Sequence, residues 1–312
     1  MTQLPEKCLP PGRHELLKEH LMTEIRQTAI QQTETPARAS SVRKKWLRPA
    51  FAAAAVATAV AVTLVVLPSS GGGANAQPPT EEAVALLEDI ALAAAREKVP
   101  GDIRDDQFVY VESKVGYTTH QEGKKAKLDP LHKREVWLSV DGLHTGLIRE
   151  PDYGFAGEEA LKPDLPLYEG STNYRNLQSL PTDPDQMLKW LHRVSDGGES
   201  EDQNTFVLVG DLSFEGLMPA AQSAALYRAA ATISGVVVVP DAVDAAGRRG
   251  VAVARVNGGE RQELIFDKES KRFLGERTVA VEDLPDGQKK GELTGSSAIL
   301  ERAVVDKPGQ RP

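Results

Sequence analysis

Hydrophobic positions change their spacing three times along this chain. Near its start, Leu17, Leu21 and Ile25 recur every four residues, with Leu16 and Met22 widening the stripe. That spacing predicts a short amphipathic helix opening after Pro10-Pro11. From Ala50 to Leu67 the period vanishes into an unbroken apolar run whose only polar side chains are Thr58 and Thr63. As a helix this run would rise roughly 27 Å, close to the hydrocarbon thickness of a bilayer. The helical period then returns over Glu81 to Glu97, through Val84, Leu87, Ile90, Leu92 and Ala94. Thr80 is placed to cap that helix, Glu81 and Glu82 sit in its first turn, and Pro100-Gly101 stops it.

Beyond it the period becomes two. Gln107–Val115 and Arg134–Val140 read as strands, and Asp141-Gly142 before Leu143–Ile148 reads as a hairpin turn. Glu150 to Pro181 is rich in Gly, Pro, Asp and Tyr without a period, so it predicts a long irregular segment. Asp183-Pro184-Asp185 starts a helix carrying Met187, Leu188, Trp190, Leu191 and Val194. Thr205 to Leu217 fits a strand or a helix equally. Ala220 to Ile233 predicts a helix closed by Gly235 as its C-cap glycine. Val236–Val239, Val251–Val256, Gln262–Asp267, Arg272–Val281 and Leu293–Val305 complete a β-meander. Helix, strands, helices and strands together predict an α+β domain with an antiparallel sheet.

Charge assigns a direction to the apolar run. Arg38, Arg43, Lys44, Lys45, Trp46 and Arg48 precede it and Pro68-Ser-Ser-Gly-Gly-Gly follows. Cations and an interfacial Trp mark the cytoplasmic flank. The expected plan is a cytoplasmic tail (1–48), a transmembrane helix (49–68), a linker (69–80) and an extracytoplasmic domain (81–312), all tethered to the cell membrane. Ala74-Asn75-Ala76 before Gln77 is compatible with signal cleavage instead, but the run is longer and deeper in the chain than a signal h-region. The whole chain carries −8. Residues 1–48 carry +4 and the remainder −12, which makes the outer part unsuited to nucleic acid. The one cysteine, Cys8, lies in the tail, so residues 49–312 hold no disulfide.

No catalytic motif stands out. G-x-S-x-G, H-E-x-x-H, the phosphate-binding glycine loop and paired cysteines are all missing from the sequence. His120, His132 and His144 are evenly spaced, but a spacing of twelve gives no local ligand geometry. The expectation is therefore a non-enzyme without metal or cofactor. Tyr153, Phe155, Tyr168 and Tyr174 in the irregular segment could line a ligand groove or pin the loop to the sheet.

Pro10-Pro11-Gly12-Arg13-His14-Glu15-Leu16-Leu17-Lys18-Glu19-His20-Leu21-Met22, followed by the basic stretch and Trp46-Leu47-Arg48-Pro49, resembles a set of actinobacterial single-pass membrane proteins of undetermined function. Met218-Pro219-Ala220, Leu226-Tyr227-Arg228-Ala229, Asp244-Ala245-Ala246-Gly247-Arg248 and Leu264-Ile265-Phe266-Asp267 extend the likeness over nearly the whole chain. Members of that set are often encoded beside extracytoplasmic-function sigma factors. The resemblance implies envelope sensing or regulation, with Leu17, Leu21 and Ile25 docking the tail helix into a cytoplasmic partner such as a sigma factor. It supplies no catalytic residues. The tail has only Cys8, His14 and His20, so it lacks the cysteine pair of zinc-binding anti-sigma domains. In architecture alone, the chain is similar to lipoprotein-carrier-like periplasmic sensor domains. The alternative expectation is accordingly a tethered carrier whose sheet cups a lipid or cell-wall fragment.

Overall fold

The computed structural model describes residues 77–119, 125–150, 157–163, 165, 167–195 and 200–312. The tail helix with Leu17, Leu21 and Ile25 and the apolar run 50–67 lie outside them. Among the described residues, no helix is long and apolar enough to cross a membrane.

The architecture is α+β. Among the described residues nine strands form one antiparallel sheet: β1 (Phe108–Gly116), β4 (His132–Ser139), β5 (Gly146–Arg149), β6 (Glu159–Leu161), β7 (Val237–Val243), β8 (Arg249–Asn257), β9 (Glu260–Phe266), β10 (Phe273–Ala280) and β11 (Leu293–Val305). Their order is β6-β5-β4-β1-β11-β10-β9-β8-β7, and β2 (Thr118–Thr119) pairs separately with β3 (Lys127–Leu128). The first and last strands of the domain thus lie side by side at its centre, Phe108 opposite Val305. Five helices stand among the described residues: α1 (Glu81–Ala94), α2 (Tyr174–Ser179), α3 (Pro184–Val194), α4 (Glu201–Glu215) and α5 (Ala220–Ala230).

The helices bury one face of the sheet. Leu87 and Ile90 of α1, Leu191 of α3, Phe206 and Leu212 of α4 and Leu226 of α5 pack with Val253, Leu264 and Phe266. Nearer the centre, Val109, Val111, Val115 and Ile299 meet Tyr174 and Phe214 on the same side. Alternate residues face the other way. Tyr110, Trp137 and Val305 form one cluster there, and Val239, Ala252, Ala254 and Ile265 another.

The sheet does not stay open. At Gly275 the β9–β10 register shifts and β10 parts from β11; a side chain at Gly275 would meet Ser297 O at 2.3 Å. The β7–β8 turn fills the gap from across the sheet. Ala245 N–H donates to Ser297 O (3.3 Å), and Arg248 Nη2 donates to both Leu274 O (3.0 Å) and Ile299 O (2.8 Å). The buried Asp244 carboxylate holds this turn through Ala246 N–H, Arg248 N–H and Arg248 Nε. Two strands separate β8 from β11 in the sheet order, so the sheet curls toward a partial barrel.

The sequence expectations meet this fold at most elements. Thr80 does cap α1, accepting from Ala83 N–H at 3.2 Å. Two expectations are not met. The segment 150–181, read as irregular, carries β6 and α2. Gly235 does not cap α5: the helix ends at Ala230, and the left-handed Gly235 (φ +76) instead donates its N–H to Gln77 O. The hairpin expected at Asp141-Gly142 forms between β4 and β5, with a longer loop because β5 starts only at Gly146. Thr205 to Leu217 resolves to a helix. Nine of the fifteen residues in α4 are buried, and polar Asn204, Thr205 and Ser213 are among them, so the narrow less-buried stripe Gln203, Val207, Asp211 and Glu215 is hard to read from the sequence.

Candidate functional site

The segment after β5 was expected to carry any ligand contacts, and its base is the most polar place under the helices. Glu150 follows β5 directly, and its N–H donates to Gly157 O, closing the loop between them. Tyr153 and Phe155 lie within that loop and outside the described residues.

Four side chains converge at this base. Antiparallel pairing sets His132 beside Val115 and Arg134 beside Ser113, on the helix side of β4. His132 Nε2 lies 2.5 Å from Glu150 Oε1, and its Nδ1 lies 3.1 Å from Pro130 O. Both ring nitrogens therefore face oxygens. Arg134 Nε stands 3.6 Å from Glu150 Oε2, while its Nη2 donates to Glu215 Oε1 at the end of α4 (3.2 Å). His132 and Glu150 side chains are only 5% and 3% exposed, whereas Glu215 is 35% exposed. The string thus runs from the interior to the surface along the α4 seam.

The seam continues onto β10. Glu276 lies on the helix side opposite Leu264, beneath Gly210 of α4. Burial pushes its carboxyl up to about 7; Gln262 Nε2, donating at 3.4 Å, opposes that shift and the Glu215 charge adds to it. The helix end itself is held by Arg302 of β11, whose Nη2 donates to Phe214 O (2.9 Å) and to Ser213 O. Since α4 has no basic residue in its last turn, Arg302 supplies the cation its C-terminus favours.

This arrangement is a string of charged and polar side chains that leads from a buried imidazole to the surface. It shows no nucleophile beside a base. Among the described residues no group of three His, Cys, Asp or Glu could hold a metal ion. Of the evenly spaced histidines, His132 and His144 are not brought together, since His144 is a surface residue bonded to Asp141 Oδ1 (3.0 Å) beyond the far end of β4; His120 lies outside the described residues.

The remaining aromatic candidates go to separate places. Tyr168 is 42% exposed and donates its hydroxyl to Val194 O at the end of α3 (3.2 Å). Burial of its ring pushes the phenol up to about 12. Tyr174 opens α2, buried against Val109, Val111 and Phe214, with the Arg175 guanidinium 5.5 Å from its ring centre. Trp137 is fully buried on the face away from the helices, and Trp190 is in the helix core. The His132–Glu150 pair escaped the sequence reading because its partners are eighteen residues apart on neighbouring strands. Only the strand register could have revealed them.

Comparison with family models, with curated proteins and with solved structures finds no match to this chain.

Proposed function

We propose that this chain is a membrane-anchored, non-catalytic regulator. Its outer domain receives an envelope signal, and its tail helix holds a cytoplasmic partner such as a sigma factor. One observation carries the reading: an eighteen-residue run without charge, Ala50–Leu67, stands between a cationic collar and a Gly/Pro/Ser linker. The described fold is compatible with a tether at that point. Gln77 O accepts from Gly235 N–H and Thr80 N–H donates to Val236 O, so the linker would join the domain beside the start of edge strand β7.

A carrier role receives less support. The helix-facing side of the sheet is filled by the protein's own Leu87, Ile90, Phe206, Leu212 and Leu226 rather than open to a lipid chain.

Two experiments test the proposal. Cys8 is the chain's single cysteine, so an impermeant maleimide should label it only after the membrane is opened, while a Lys307→Cys variant should react in intact cells. Labelling of Cys8 in intact cells overturns the topology. For the tail, capture of a partner by the intact protein should be lost on deleting residues 1–40 or on L17D/L21D. Capture that survives both changes removes the tail helix as the docking element.

A further inference from the structure

The face of β1, β4 and β5 opposite the helices holds three polar-edged side chains that are almost fully buried: Tyr110 and Trp137 at 0% and Glu135 at 2% exposure. What lies across them is the segment after β11, residues 306–312. Asp306 Oδ1 accepts from Arg104 Nη2 and Gln107 Nε2, both at 2.9 Å, and fixes the start of the segment. Gly309, at φ +80, turns it over Leu147 and Arg149. Gln310 O then accepts from Trp137 Nε1 at 2.5 Å. Finally Arg311 lays its guanidinium along the Glu135 carboxylate, Nε to Oε1 at 2.6 Å and Nη2 to Oε2 at 2.7 Å.

The seat beneath also has contacts of its own. The Tyr110 hydroxyl lies 2.8 Å from both Glu112 Oε2 and Glu135 Oε1 and has its one hydrogen to donate to either carboxylate. Lys133 Nζ balances one of them, at 3.0 Å from Glu112 and 3.5 Å from Glu135. Arg149 stacks over Trp137 at 5.0 Å and reaches out to Glu158 at 2.7 Å, forming a wall. Without Arg311 the Glu135 carboxylate keeps only the longer contacts to Lys133 (3.5 Å) and Arg149 (4.0 Å), and the planar fork of a guanidinium is the group that matches it. The occupant's arginine stays partly open to solvent. Arg311 is 56% exposed, although the acid it grips is 3% exposed.

We propose that this seat is a recognition site for an extended, arginine-bearing peptide segment of a partner protein, and that residues 306–312 are its resident occupant. Three features define what it takes: a sharp turn over Leu147, a main-chain carbonyl for Trp137, and an arginine for Glu135 one residue later. A partner segment must displace the resident one, which is favoured by its covalent attachment. The seat therefore answers only a partner with additional contacts or a raised local concentration. This inference stands apart from the membrane topology and from the tail helix.

The test uses the full chain with residues 307–312 deleted, and a labelled synthetic peptide Asp-Lys-Pro-Gly-Gln-Arg-Pro. The truncated chain should bind the peptide saturably, and the intact chain at least tenfold more weakly. Replacing the peptide's arginine by alanine, or Glu135→Gln in the truncated chain, should weaken binding at least tenfold. A full-length R311A variant, which empties the acid without removing the turn, should gain peptide binding over the intact chain. That variant decides the matter if truncation unfolds the domain. Absence of saturable binding by R311A and by a folded truncated chain overturns the proposal, as does binding indifferent to the arginine.

Discussion

Gly210 of α4 sits directly on Glu276 of β10: a Cβ at position 210 would come within 2.6 Å of Glu276 Oε1. The close approach buries a carboxyl under a helix, and burial raises it to about 7. An acid raised in the folded state holds its proton there at pH values where the unfolded chain has lost it. Its contribution is fully present below about pH 4.5 and disappears as pH rises through 7. The domain should therefore lose roughly 1–2 kcal/mol between pH 4.5 and 8 through this group, after allowance for its partial access to solvent. Glu276→Gln should flatten that slope in urea titrations run at several pH values. An unchanged slope would mean the carboxyl titrates normally.

The Asp244 turn gives a second prediction. Its carboxylate satisfies two amides and one guanidinium inside the gap between β10 and β11. Asp244→Ala leaves those donors unpaired and should cost about 2–4 kcal/mol. Asp244→Asn keeps an acceptor and should cost less. Hydrogen exchange should show the loss concentrated in the amide of Ala245, whose acceptor is Ser297 O. Uniform weakening across the domain would argue against a local plug.

Thr80 offers a smaller and cleaner case. Its hydroxyl caps α1 while its N–H pairs with Val236 O, so one residue ties helix, linker and edge strand. Thr80→Ala should cost about 1 kcal/mol in thermal or urea melts, and Thr80→Ser almost nothing. A larger loss for Ala would show that the linker anchoring depends on the hydroxyl too.

Why these features differed in legibility follows from where the partners lie. The cap at Thr80, the strongly amphipathic α3 and the alternation of β1 are local patterns, so the sequence displays them directly. The α4 helix is buried on most sides by sheet and neighbouring helices, polar Asn204, Thr205 and Ser213 included, so its narrow less-buried stripe is masked in the sequence. The pairing of β1 with β11 joins residues nearly two hundred positions apart, beyond any local period. Separations of 176 and 88 positions likewise hide Arg311 from Glu135 and Arg302 from Phe214 of α4. Gly235 misled because a glycine after a helix usually caps it, whereas this one is claimed by the linker at Gln77.

The interior of the curl contains a charge cluster that makes the last prediction. Glu263 is fully buried between Arg261 and Arg277, with Arg277 Nε at 2.6 Å from Oε2 and Arg261 Nε at 2.8 Å from Oε1. Two cations share one anion there, and Arg261 Nη2 lies 2.7 Å from Oε1 without a well-aligned hydrogen bond. Desolvation of three charges consumes most of what their attraction returns, so the cluster adds little net stability while it is intact. Removing its centre is different. Glu263→Gln leaves two buried guanidinium groups facing a neutral amide and should cost about 3–5 kcal/mol. Replacing all three together by Met, Leu and Met should cost far less than the single change, or even stabilise the domain. Urea unfolding of the single and triple variants at pH 7 distinguishes the cases. A single variant as stable as the parent would show that water or a bound anion already reaches the two arginines.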